Sequence, residues 1–139
     1  MSETAGYSGT PLSKKLGLRA GMRVLALHAP PDYRDWLQPL PEDLRWVADA
    51  SPEVDLVHLF CSERRLLAER LQTLRTQLRS DAVLWVSWPK KAARVATDIS
   101  EDEIRTLALP LGWVDIKVCA VSAVWSGLKL VIRKSLRSA

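Results

Sequence analysis

The chain has 139 residues, 47% of them hydrophobic, which is the length of one domain and enough apolar material to bury a core unaided. Its 20 basic and 16 acidic residues leave a net charge of +4, a balance that suits an ordinary soluble surface and favours anionic partners over cationic ones. No stretch approaches the roughly 18 consecutive apolar residues of a membrane span, and Met1 to Thr10 lack the basic start and apolar centre of a signal peptide. The expectation is a single cytoplasmic domain over 1–139, with 1–10 as a flexible or lid-like segment and no membrane partner.

Thr10-Pro11 followed by Leu12, Leu16 and Gly17 predicts a short helix with Thr10 as N-cap and Gly17 as the stop. Arg23 to His28 reads as the first strand, Asp32 to Leu37 as a short helix, and Arg45 to Ala48 as a weak second strand. Asp55 to Phe60 is a stronger strand. Ser62 then caps a helix whose Leu67, Leu71, Leu74 and Leu78 form one buried stripe. Its other face carries Glu63, Arg64, Glu69, Arg70, Arg75 and Arg79, the pattern of a solvated surface.

Ala82 to Val86 is apolar on both alternating faces, as a central parallel strand covered on both sides should be. Ser100-Glu101-Asp102-Glu103 is a capping box that opens a helix through Leu111, distorted by Pro110 and closed by Gly112. Val114, Ile116 and Val118 alternate with Asp115, Lys117 and Cys119, which places that strand at or near an edge. The last strand, Leu128 to Lys134, follows after so short a connection that the two must pair antiparallel.

Cys61 and Cys119 lie in or at the end of apolar runs, where a free thiol packs as a small hydrophobe. His58-x-x-Cys61 is not a zinc spacing and no second cysteine pair supports it, so no metal is expected. The basic clusters at Lys14 to Arg23, Lys90 to Arg94 and Arg133 to Arg137 are each too short for a nucleic-acid tail, and nucleic acid is not an expected partner.

A glycine-poor first strand and turn, βαβ units in the middle and a terminal hairpin together resemble a shortened class I methyltransferase-like Rossmann fold. The resemblance implies a reduced Rossmann-like three-layer α/β sandwich, its sheet mostly parallel with a C-terminal antiparallel hairpin. It also implies a cofactor site with a glycine-rich turn after strand one and an acidic residue after strand two. Asp49 suits the second role. The turn His28-Ala29-Pro30-Pro31 does not suit the first, because two prolines offer neither the open conformations nor the N–H groups that cradle an anion. Asp49 to Val54 is also too short for a helical crossover, so the usual third strand is expected to be missing.

The segments Tyr7 to Gly17, Ser87-Trp88-Pro89-Lys90-Lys91 and Trp125-Ser126-Gly127-Leu128-Lys129 are similar to an uncharacterised bacterial family, domain of unknown function 3052. That resemblance implies no catalytic assignment.

Ligands of open α/β sheets bind outside the carboxyl ends of the strands. The side chains delivered there are His28, Cys61 and Ser62, then Ser87, Trp88, Lys90 and Lys91, with Trp125 and Ser126 from the hairpin turn. Tyr7, Ser8, Gly9 and Thr10 are placed to fold over them as a lid. The tryptophans carry large apolar surface and the lysines, with Arg94, suit a phosphate or carboxylate. No G-x-S-x-G, P-loop or H-E-x-x-H motif is present, and His28 has no nucleophile or carboxylate tied to it by sequence. The leading expectation is a non-catalytic binding or regulatory protein that uses this basic edge for an anionic small molecule or an acidic protein segment and takes no cofactor. The alternative is a divergent S-adenosylmethionine-dependent methyltransferase.

Overall fold

The structure is a computed structural model that describes residues 9–137. A short helix, α1 (Leu12–Leu16), ends at Gly17 with φ 84°, a left-handed backbone that costs glycine nothing. Pro11 takes the flanking position expected for Thr10, because the helix begins one residue later. There follow β1 (Arg23–Leu27), α2 (Tyr33–Trp36), β2 (Arg45–Trp46), β3 (Leu56–Phe60), α3 (Arg64–Gln77), β4 (Val83–Pro89), α4 (Glu101–Ala108), β5 (Trp113–Ala120) and β6 (Trp125–Ile132).

The six strands form one sheet in the order β2-β1-β3-β4-β6-β5. β2, β1, β3 and β4 run parallel, while β6 is antiparallel to both β4 and β5. The hairpin therefore folds back so that its second strand meets β4 and its first becomes the edge. β6 starts at Trp125, not Leu128, so Trp125 and Ser126 are strand residues and the turn is 121–124. Ser122 Oγ accepts the Val124 and Trp125 amides at 3.1 and 3.2 Å, which closes the turn early.

Side chains alternate between two cores. On one face Leu25, Leu59, Leu84, Val86, Trp88, Leu128 and Leu130 pack with Leu67, Leu71 and Leu74 of α3 and Ile104 of α4. On the other, Val24, Leu56, Phe60 and Trp85 pack with Leu12 and Leu16 of α1 and Tyr33 of α2. β4 is covered on both sides, as its two-faced apolar pattern requires.

The outer face of α3 is exposed at Glu63, Arg64 and Glu69, as its charges predict, but several of its arginines also reach partners on other elements. Arg64 pairs with Glu103, Arg75 Nε donates to the Leu111 carbonyl at 2.7 Å, and Arg79, just beyond the helix, pairs with Asp55 and Asp81. Long arginines lay their stems along apolar neighbours and so bring their heads to inter-element partners. Ser62 does not cap α3. Asp98 does, accepting the Arg64 amide at 2.6 Å from the loop before α4. Ser100 caps α4 as predicted, accepting the Glu103 amide.

The connection from β2 to β3, residues 47–55, crosses beneath α3 without a helix. Arg79 pins it, donating to the Pro52 and Val54 carbonyls at 3.1 and 3.0 Å. No third strand intervenes, as its length predicts.

Candidate functional site

Because the crossover carries no helix, the face of β1 beside α3 is left partly open. A cavity of about 180 Å³ lies there, floored by Leu25 and Leu27 of β1 and walled by Ala48, Asp49 and Ala50 on one side. Arg70, Thr73, Leu74 and Gln77 of α3 form the other wall. Its upper end reaches the carboxyl ends of β1 and β2, where an open α/β sheet binds ligands. The volume is below the roughly 300 Å³ of a complete ligand pocket, so it holds one part of a ligand whose remainder lies over the sheet edge.

At that edge the turn after β1 is built differently from a glycine turn. His28 itself adopts φ 59°, a region uncommon for side-chain-bearing residues. Pro30 and Pro31 have no N–H, and the Tyr33 amide is bonded to the Pro30 carbonyl at 3.0 Å. The exposed His28 ring lies with Nε2 3.0 Å from Nη2 of Arg70. Since guanidinium only donates, Nε2 is the acceptor and the ring proton sits on Nδ1. Arg70 Nε is the one buried side-chain polar atom without a hydrogen-bond partner among the described residues. Nearby, burial pushes the Cys61 thiol up to about 11, against the opposing pull of Arg70, so it stays protonated and unreactive at neutral pH.

The residues expected at the edge are not brought into one site. Ser87 is fully buried and lies 2.7 Å from His58 Nε2, inside the sheet rather than at its rim. Trp88 and Trp125 occupy neighbouring strands but enter opposite cores, Trp125 edge-on to Phe60 with ring centroids 5.1 Å apart. Ser126 is half-buried in the ladder opposite Trp88. Pairing strands alternate in step, so two tryptophans offset by one register position cannot share a face. Ser62 is half-buried, its carbonyl taking Thr97 Oγ1 at 2.7 Å. Lys91 is exposed and Lys90 half-buried, both beyond the end of β4. Of the proposed lid, Gly9 and Thr10 are exposed, while Tyr7 and Ser8 lie outside the described residues.

Arg70 escaped the sequence reading because it falls among surface-like charges. Its signal was position: three residues after Leu67 and four before Leu74, it borders the buried stripe. Among the described residues no group of three or more His, Cys, Asp or Glu side chains could hold a metal ion, and no helix is long and apolar enough to cross a membrane.

No protein-family model matches the chain, and no curated protein is similar to it in sequence. Solved structures resemble it in fold. A SAM-dependent methyltransferase from Aquifex aeolicus superposes with a TM-score of 0.61 over 87% of each chain at 15% identity. Aeropyrum pernix fibrillarin, in complex with natively bound S-adenosyl-L-methionine, gives 0.55 over 91% of this chain and 70% of its own, also at 15% identity. Precorrin-6y C5,15-methyltransferase from Geobacter metallireducens gives 0.52 at 12% identity, covering 86% and 84%.

The fold is that of the SAM-dependent methyltransferases. This overturns the expectations of a non-enzyme and of a protein without S-adenosylmethionine. Both expectations rest on the proline turn and on the absence of catalytic motifs, and neither feature alters the strand order of the frame itself.

Proposed function

We propose that the protein is a reduced S-adenosylmethionine-dependent methyltransferase that holds its cofactor across the carboxyl ends of β1 and β2. The observation that carries this reading is Asp49, a carboxylate three residues after the end of β2 that lines the cavity and forms no ion pair with any described residue. An ionised carboxylate accepts hydrogen bonds on both oxygens, which matches the paired hydroxyls of a ribose. Leu25, Leu27 and Leu74 offer an apolar bed beside it. The residues therefore fit the nucleoside end of the cofactor, while the turn at His28 lacks glycine amides for the other end.

When bound, S-adenosylmethionine supplies an electrophilic methyl group. The chain's own contribution is to orient the nucleoside at Asp49 and to draw the methyl acceptor to the edge. Lys90, Lys91 and Arg94 follow β4 at that edge and have no carboxylate partner among the described residues, which favours an anionic acceptor. We also place the chain with domain of unknown function 3052. Two of the three segments that support this pair residue for residue, Ser87 with Gly127, Trp88 with Ser126 and Pro89 with Trp125.

Calorimetry with S-adenosylmethionine tests the proposal. A Kd of about 10 μM or tighter, roughly 7 kcal/mol, is expected, and Asp49→Asn should weaken it about tenfold. Absence of binding at about 1 mM cofactor would overturn the reading.

A further inference from the structure

Resting on that reading, we propose that Arg70 binds the amino-acid carboxylate of the cofactor and so replaces the backbone amides of a glycine-rich turn. The turn after β1 has no glycine, Pro30 and Pro31 have no N–H, and the Tyr33 amide is already bonded to the Pro30 carbonyl. The Arg70 guanidinium reaches this position from α3. One of its nitrogens is anchored 3.0 Å from His28 Nε2, directly after β1. Another, Nε, is buried without a hydrogen-bond partner among the described residues.

That orphan sets Arg70 apart on its helix. Arg64 and Arg65 pair with glutamates and Arg75 donates to a carbonyl, whereas among the described residues Arg70 is hydrogen-bonded only to the His28 ring. A buried donor left unpaired is a standing cost that an incoming acceptor removes. Asp49 and Arg70 line the same cavity yet form no ion pair with each other. A carboxylate and a guanidinium held apart in one cavity match a ligand that brings hydroxyl donors to one end and a carboxylate to the other. The order is also right: the acid follows β2 and the cation stands over the end of β1. Guanidinium binds carboxylate through two parallel N–H donors, and His28 holds one nitrogen of that fork in place.

The test compares two ligands that differ in one group, S-adenosylhomocysteine and its decarboxylated form, which keeps the nucleoside, thioether and amine. Calorimetry is run on the wild type, Arg70→Gln, Arg70→Lys and Asp49→Asn. Arg70→Gln should weaken S-adenosylhomocysteine about tenfold or more and leave the decarboxylated ligand unchanged within roughly twofold. Arg70→Lys should fall between, keeping the charge without the fork, and carries the test should Arg70→Gln not fold. Asp49→Asn should weaken both ligands alike. If both bind the wild type and the Arg70 variants weaken neither, or both equally, the role of Arg70 is overturned while the cofactor reading stands. If neither ligand binds the wild type, both fall together.

Discussion

His58 Nε2 lies 2.7 Å from Ser87 Oγ, and its Nδ1 lies 2.7 Å from the Tyr33 hydroxyl, with all three side chains sealed from solvent. The ring also stacks on Phe60 with centroids 4.3 Å apart. Nothing in this arrangement reaches a substrate. It is a polar tie across the inner face of β3, β4 and α2, satisfied because each polar atom of the imidazole has a partner. Burial pushes the imidazole down to about 3 and the Tyr33 phenol up.

Stability should therefore fall on mild acidification. The unfolded chain protonates His58 near 6.5 whereas the folded chain resists until about 3. The unfolded state thus binds more protons throughout that window, and stability drops as pH decreases through it, by at most about 1.4 kcal/mol per pH unit. Urea unfolding between pH 7 and about 5, above the carboxylate range, isolates the effect. His58→Gln should flatten the slope, and a wild-type curve already flat there would refute the assignment.

Trp85 should be the most costly single truncation in the sheet. Its ring is wholly buried and its indole N–H donates to the Leu16 carbonyl at 2.9 Å, tying α1 to β4. Trp85→Ala should cost about 3–5 kcal/mol by chemical denaturation. Trp85→Phe keeps much of the packing but orphans that carbonyl, for about 1–3 kcal/mol. A loss under about 1 kcal/mol for the alanine variant would show that the ring is not central.

Gly127→Ala should destabilise although the change is a single methyl. An added Cβ would stand 2.9 Å from Val121 Cγ2 and 3.3 Å from Trp85 Cε3, side chains with little room to retreat. Overpacking of this kind costs about 1–3 kcal/mol. A Tm within error of the wild type would mean that the hairpin yields without strain.

Lys117→Glu should stabilise the edge of the sheet. Lys117 and Lys129 are direct cross-strand partners, and like charges so placed repel. Burial, then Lys117 and Arg19, hold the Lys129 ammonium below its ordinary value, so the wild type gains stability as pH rises through that lowered value. Exchanging repulsion for attraction should raise stability by about 0.5–1 kcal/mol at low salt, and the gain should shrink near 1 M salt. An unchanged or lower Tm at low salt would contradict the pairing.

What the sequence determined by itself is the succession of elements and the character of each. The leucine stripe of α3, the two-sided β4, the Ser100 cap and the glycine stops at Gly17 and Gly112 all follow from contacts within a few residues, where helical and extended periods leave a readable mark. That Asp49 follows β2 was legible too, because it is a matter of order along the chain. Only the tertiary structure decided which side chains meet. That β6 enters between β4 and β5 sends Trp88 and Trp125 to opposite faces, and that α3 lies beside a partly open face of β1 turns Arg70 from a surface charge into a cavity wall. These outcomes depend on strand neighbours and on register, where a shift of one residue reverses every face, and neither leaves a local trace in the chain.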